Sequence, residues 1–365
     1  MVNEAVLSFS SRGDGGYEVC FDGVSVGTFR VPDELRVVRE WEFFELESLG
    51  DRLAKALFGS CPKLVECIRG LSGSVRFVLE FGKGAEGLLN LPWEFLGHPD
   101  SGKPLSLEFP FVRRIGGGVR LEPLGGRPLK VLVVICEPLD LDLFGGRRFH
   151  DVICEESRGL VEKGLFQLEF LGLPSTPDEF GRRVLRDCPD VVHFIGHGNV
   201  GVLAFEDEGG GAVNVDAKKF YEFFKRREKP RLVILTACFS GAVGGRDLVS
   251  GTATALVEAG VPSILAMQLP IGVESAYRLV GDLYASLLDS SFDEVVRDLR
   301  ASRFFAERLD APAQWGIPVF YLQGEGERLF EDVSKGESFL RGWPSSSPDY
   351  WLLPEPELFV GRRED

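Results

Sequence analysis

The rhythm of apolar positions changes near residue 130. Before it, short apolar runs alternate with turns: "AVLSFS" and "GYEVCFDG" flank "SRGDGG" and predict a hairpin. "EWEFFELESLGDRLAKALFG" carries apolar residues at helical spacing, and "VRFVLEF" and "LEFPFVRR" predict strands. The glycine-rich "IGGGVRLEPLGGRPL" separates this part from the rest.

From Lys130 the pattern becomes alternating strands and helices. "LKVLVVIC" is a continuous apolar run, as expected of a strand buried on both faces of a parallel sheet, and "LFQLEFLG" predicts a second strand. "STPDEFGRRVLRD" opens a helix with Thr176 as N-cap, Pro177 at the first helical position and Glu179 closing a capping box. There follow a strand in "DVVHFIG", a helix in "DAKKFYEFFKRR", a strand in "RLVILTA", a helix in "TATALVEAG" and a strand in "SILAMQL". Two amphipathic segments, roughly 273–288 and 291–308, precede a last strand, "IPVFYLQ". This order implies right-handed crossovers and a mainly parallel α/β sheet with helices on both faces. The chain therefore divides into a smaller mixed α/β region (1–125), an α/β domain (126–325) and a Pro- and Ser-rich stretch (326–365) that reads as a linker.

Composition narrows the functions. With 365 residues, 44% hydrophobic and 27% charged, the chain can bury a full core. A net charge of -15 and a pI near 4.9 argue against nucleic acid as partner, and the basic Lys225-Arg226-Arg227 reads as a solvated helix face. No apolar run is long enough to span a bilayer and the N-terminus carries no secretion signal, so no membrane contact and a cytoplasmic location are expected. The seven cysteines are scattered, odd in number, and form neither a disulfide framework nor a zinc pattern. No phosphate-binding GxxxxGK[ST] loop occurs. No metal or cofactor is expected.

The chemistry concentrates at two strand ends. "VVHFIGHG" holds two of the four histidines in the chain. His193 lies within the strand, opposite in direction to Phe194, and reads as a buried, hydrogen-bonded structural residue. His197 lies beyond the strand, beside Gly196 and Gly198. "RLVILTA" delivers Cys238 to its own end, and the chain between is long enough for a hairpin, a crossover helix and a return strand. Open α/β sheets bind ligands outside the carboxyl ends of their strands. If these strands are neighbours, an imidazole and a thiol share one rim, suited to nucleophilic attack by a thiolate. A helix starting just after Cys238 would favour that thiolate, and the Gly198 and Cys238 amides could hold a developing oxyanion. The competing reading of Cys238 is a packed core thiol.

"VVHFIGHGNVGVLAFEDEGG" followed by "LVILTACFSG" resembles the CHAT family, caspase-like peptidases related to separase in the caspase–gingipain clan. "LNLPWEFLGHP", "FPFVRRI", "AGVPSILAMQLPIGVESA" and "WGIPVFYLQG" resemble the flanking segments of that family, in its order, over roughly residues 75–323. The resemblance implies a caspase-like three-layer sandwich preceded by a pseudo-caspase-like region. It implies His197 as catalytic histidine, Cys238 as nucleophile and Gly198 in the oxyanion hole. Phe239 departs from the polar residue often found after the cysteine. Glu137 and Glu274, near strand ends, are candidates to receive a basic P1 side chain, as in separase-like relatives, against the reading that each is a surface carboxylate. "LPEPELFVGRRED" resembles the entry to STAND-type NTPase modules. Together these imply a cysteine endopeptidase that cleaves a partner protein, controlled by a downstream sensor module, in bacterial antiviral defence or cell death. The glycine-rich stretches 207–214 and 239–247 are expected to be its mobile parts. Two alternatives stand beside this reading: a catalytically inactive CHAT-fold signalling module, and a doubly wound nucleotide binder. Against the latter, Cys136-Glu137-Pro138 stands where a glycine-rich loop should follow the first strand.

Overall fold

In β1 (Asn3–Ser11) alternate residues Ala5, Leu7 and Phe9 are buried while their neighbours stay partly exposed, the period of two that one covered face demands. The computed structural model describes residues 3–35, 45–116, 127–225, 229–238, 242, 251–288, 290–306 and 313–324. β2 (Tyr17–Phe21) returns antiparallel to β1 across the "SRGDGG" turn, and β3 (Val24–Phe29) extends the meander. After α1 (Leu46–Ser60) and α2 (Pro62–Arg69), β4 (Val75–Phe81) pairs parallel with β1. The expected strand in "LEFPFVRR" is split. Leu107 and Glu108 end the short α3 (Leu105–Glu108), Pro110 cannot donate to a ladder, and β5 begins after it (Phe111–Ile115).

The second half delivers the alternation expected of it and adds one helix, α4, that the apolar pattern did not announce: β6 (Leu129–Cys136), α4 (Gly146–Glu162), β7 (Phe166–Phe170), α5 (Pro177–Asp187) and β8 (Val191–Gly196). A small antiparallel sheet of β9 (Gly198–Asn199), β10 (Val202–Glu206) and β11 (Ala212–Asp216) comes next. Then follow α6 (Ala217–Phe224), β12 (Leu232–Thr236), α7 (Thr252–Glu258), β13 (Ser263–Met267), α8 (Val273–Ser286), α9 (Phe292–Ala306) and β14 (Pro318–Leu322). The α5 cap forms as its sequence requires, Thr176 Oγ1 accepting from the Glu179 amide at 3.2 Å.

The main sheet has 11 strands in the order β3-β2-β1-β4-β5-β14-β13-β12-β8-β6-β7. It is antiparallel at β1–β2, β2–β3 and β13–β14 and parallel at its other pairings. β14 runs against β13 because two helices, α8 and α9, intervene and turn the chain back. By pairing with β5, β14 joins the first region to the second in a single sheet with one continuous hydrophobic core. At this seam Arg113, fully buried on β5, pairs with Glu94 and donates to Gln268 Oε1 at 3.0 Å. The change of rhythm near residue 130 thus marks a change of connectivity, while sheet and core run through it. The 326–365 stretch lies outside the described residues.

Helices cover both faces. His193 on β8 meets Tyr284 of α8 on one face, and the next residue, Phe194, meets Phe205 of β10 on the other, within a cluster that includes Phe180 of α5 and Phe220 of α6. No described helix is long and apolar enough to cross a membrane.

Candidate active site

From β6 the chain first moves outward through α4 to the edge strand β7, then crosses back through α5 to β8 on the other side of β6. The direction of winding reverses there. The loops leaving β6 and β8 consequently part toward opposite faces and open a crevice at their carboxyl ends. β12 lies next to β8, parallel and in register, with Ile195 opposite Thr236. The residues that follow, His197-Gly198 and Ala237-Cys238, emerge side by side. Gly198 packs directly on the neighbouring strand end: a Cβ there would lie 2.8 Å from the Cys238 carbonyl oxygen and 3.0 Å from Ala237 Cβ. Only glycine allows β9 to cross the end of β12 so closely. His197 and Cys238 are both partly exposed.

The His197 ring is oriented by backbone. Its Nε2 lies 2.6 Å from the carbonyl oxygen of Asp142, in the loop after β6. A carbonyl has no proton to give, so Nε2 donates, and in the neutral ring the lone pair resides on Nδ1. Phe144 meets the same ring edge-on, with centroids 5.5 Å apart. His193, by contrast, is sealed inside the sheet, with Nδ1 3.2 Å from the Tyr284 hydroxyl and Nε2 2.9 Å from Thr236 Oγ1. Burial pushes its pKa down to about 3.

The acidic candidates for a P1 receptor are occupied. Glu137 accepts from the amides of Phe144, Gly145 and Gly146 at 2.7, 2.6 and 3.1 Å, which spends both carboxylate oxygens on its own loop. Glu274 lies on the surface, 64% exposed, and pairs with Arg148, whose guanidinium sits 4.1 Å over the Tyr277 ring. Glu137 thus holds its own loop, and Glu274 stands as a surface carboxylate in an ion pair. The 207–214 stretch carries hydrogen bonds of its own. β11 pairs with β10, Asp207 Oδ1 accepts from the amides of Gly209 and Gly211, and Asp140 Oδ1 accepts from the amide of Ala212. The residues just after Cys238, with the helix and mobile loop expected there, lie outside the described residues, as do Arg226 and Arg227.

Sequence reasoning missed the Asp142 carbonyl, Phe144 and Tyr277. The first is a backbone contact without a side-chain signature. The other two meet the site only because α4 and α8 pack together, although the pair Gly145-Gly146 before a helix was a usable signal. A second His–Cys pair exists on α4, with His150 Nε2 3.8 Å from Cys154 Sγ, but burial raises that thiol's pKa. Among the described residues, no group of three or more His, Cys, Asp or Glu could hold a metal ion.

A CHAT domain model matches residues 49–351. Among solved structures, the Arg-specific cysteine proteinase gingipain R (RgpB, of Porphyromonas gingivalis) aligns with a TM-score of 0.52 at 13% identity, over 74% of this chain and 68% of its own. Separase in the Saccharomyces cerevisiae separase–securin complex aligns at 0.44 and 13% identity over 73% of this chain, which spans 17% of that one. Caspase-1 from Spodoptera frugiperda aligns at 0.40 and 13% identity over 60% of this chain and 96% of its own. At such identity the gingipain likeness shows the fold alone, a mainly parallel sheet clothed by helices in the caspase-like manner. No curated protein matches the sequence.

Proposed function

This chain belongs to the CHAT domain family, and from that premise we propose that it is a cysteine endopeptidase acting through His197 and Cys238. The observation that carries the proposal is the shared rim: β8 and β12 are parallel neighbours in register, and Gly198 rests against the carbonyl of Cys238. In this mechanism Nδ1 of His197 takes the Cys238 proton, and the thiolate adds to a peptide carbonyl. The Gly198 and Cys238 amides hold the resulting oxyanion. Collapse of the adduct breaks the C–N bond, and the imidazolium protonates the departing amine. Water, activated by the same imidazole, then hydrolyses the thioester, releases the carboxylic acid and restores the thiol.

A polypeptide substrate suits the surroundings. Leu139, Leu141 and Leu143, in the loop that holds His197, are exposed at 55, 37 and 63% and offer an apolar edge beside the site. The "LPEPELFVGRRED" stretch supports a further proposal, that the peptidase works for a STAND-type sensor in bacterial antiviral defence or cell death.

The test is to incubate the protein with a proteome-derived peptide library and map new N-termini by mass spectrometry, alongside Cys238→Ala, His197→Ala and the double variant. Cleavage should vanish in each, and the double variant should lose no more than either single one, since the pair acts as a unit. Cleavage that survives Cys238→Ala would sink the proposal. A Cys238 no more reactive toward iodoacetamide than the other thiols would favour an inactive, assembling module.

A further inference from the structure

Beyond that reading, but resting on it, we infer that Glu137 is a positioning residue for His197, acting through the loop whose carbonyl fixes the imidazole tautomer. The loop from Asp142 to Gly145 has no regular structure of its own, yet it must present one carbonyl oxygen at 2.6 Å from Nε2. Two side chains hold it. From one side the Glu137 carboxylate accepts from three consecutive amides, Phe144, Gly145 and Gly146, at 2.6–3.1 Å. From the other, the Tyr277 hydroxyl reaches the carbonyls of Phe144 and Gly145 at 2.6 and 2.8 Å.

The two glycines are what lets both side chains close in. At Gly145, whose φ is +78°, a Cβ would lie 2.4 Å from the Tyr277 oxygen, and at Gly146 it would lie 3.1 Å from Glu137 Oε2. Glu137 is itself anchored, for its amide donates to Glu206 Oε1 at 2.8 Å while Glu206 Oε2 accepts from the Ser175 amide at 2.7 Å. This chain of contacts runs from the loop between β7 and α5, through Glu206 and Glu137, to the Asp142 carbonyl and the imidazole. A carboxylate suits the central place because it accepts on both oxygens and donates on neither. Glutamine in the same volume turns one terminus into a donor facing an amide N–H, so at least one of the three bonds is replaced by a clash of donors.

A purely structural Glu137 would affect folding and nothing more. Positioning predicts a signature at His197, read without a substrate. The first readout is the pH profile of Cys238 alkylation by iodoacetamide, located by mass spectrometry; the second is the nitrogen spectrum of histidine-labelled protein, kept simple by only four histidines. In the wild type the profile should depend on His197 and collapse in His197→Ala, and the spectrum should show His197 protonated on Nε2. In Glu137→Gln the alkylation rate near neutral pH should fall about tenfold, since a displacement of about 1 Å is enough for such losses. Its profile should move toward that of His197→Ala, and the His197 signal should become a tautomer mixture. Glu137→Asp should recover part of the effect. If Glu137→Gln does not fold, Tyr277→Phe, which deletes one hydroxyl, should shift both readouts in the same direction. A wild-type profile identical to that of His197→Ala would defeat the peptidase reading and this inference with it. A profile that needs His197 yet is unchanged, with the tautomer intact, in Glu137→Gln and Tyr277→Phe would overturn the inference alone.

Discussion

Replacing His193 with glutamine should flatten the acid side of the protein's stability curve. His193 is fully buried between Tyr284 and Thr236, and burial lowers its pKa from 6.5 to about 3. In the unfolded chain the imidazole titrates near its ordinary value. As pH falls below about 6.5, the unfolded state takes up a proton that the folded state refuses until about pH 3, so the folded state loses ground across that window. The loss approaches ~1.4 kcal/mol per pH unit, which gives about 2 kcal/mol between pH 7 and pH 5 from this residue alone. Glutamine does not titrate. His193→Gln should start less stable at pH 7, by about 1–3 kcal/mol for two disturbed buried hydrogen bonds, yet lose about 2 kcal/mol less than the wild type on going to pH 5. Urea unfolding at pH 7, 6 and 5 measures both. Carboxylates that titrate in the same range contribute equally to the two proteins and cancel in the difference. Parallel stability curves would refute the argument, because they would mean that the folded state protonates His193 as readily as the unfolded chain does.

Near pH 7.5, iodoacetamide should modify Cys238 well before Cys20, Cys61, Cys136 and Cys154, whose pKa values burial raises. For Cys61, pushed up from 9.0 to about 11, the thiolate fraction falls roughly 100-fold below that of an ordinary thiol, and peptide mapping of the labelled protein checks the order. Gly198→Ala places a methyl 2.8 Å from the Cys238 carbonyl and should slow both alkylation and cleavage by about 100-fold while the melting temperature moves far less; a change below threefold would count against the close fit. Asp142→Asn should leave both rates within about twofold of wild type, since His197 bonds the Asp142 carbonyl and not its side chain; a large loss would assign the carboxylate a role the geometry does not give it.

What the sequence revealed follows the strength of each local signal. The runs that became β6, β8 and β12 are mostly apolar because both faces of each are covered, so each strand could be read from pattern alone. The adjacency of β8 and β12, and with it the shared rim, was only a condition until the sheet order supplied it. Thr176 announced its cap by type and spacing. α4 stayed hidden because it opens on two glycines and two arginines, and few of its residues, Phe149 and Ile153 among them, are deeply buried. The antiparallel sense of β14 depends on how α8 and α9 turn the chain, which no local window records. Glu137 looked like a free carboxylate at a strand end. Its three amide partners lie up to nine residues further on, in a loop whose conformation only the packing of α4 against α8 defines.

The reversal of winding between β6 and β8 accounts for the division of labour at the site. The loop after β6 turns toward the face covered by α4 and α8, whereas the chain after β8 turns toward the face of β10 and α6. Any contact between them bridges the crevice, and the bond from His197 to the Asp142 carbonyl is such a bridge. A backbone acceptor there performs what an acidic side chain would otherwise do for the imidazole, but its position is only as firm as the loop that carries it. Firmness therefore has to come from groups that grip backbone on that same side, which is where Glu137 and Tyr277 stand, with glycine at 145 and 146 so that both can close on the chain. The thiol needs no comparable support: only Ala237 separates Cys238 from the end of β12, a strand held on both sides by parallel neighbours. Orientation is thus concentrated on the histidine side of the crevice, and that side is where perturbing residues remote from the chemistry should be felt first.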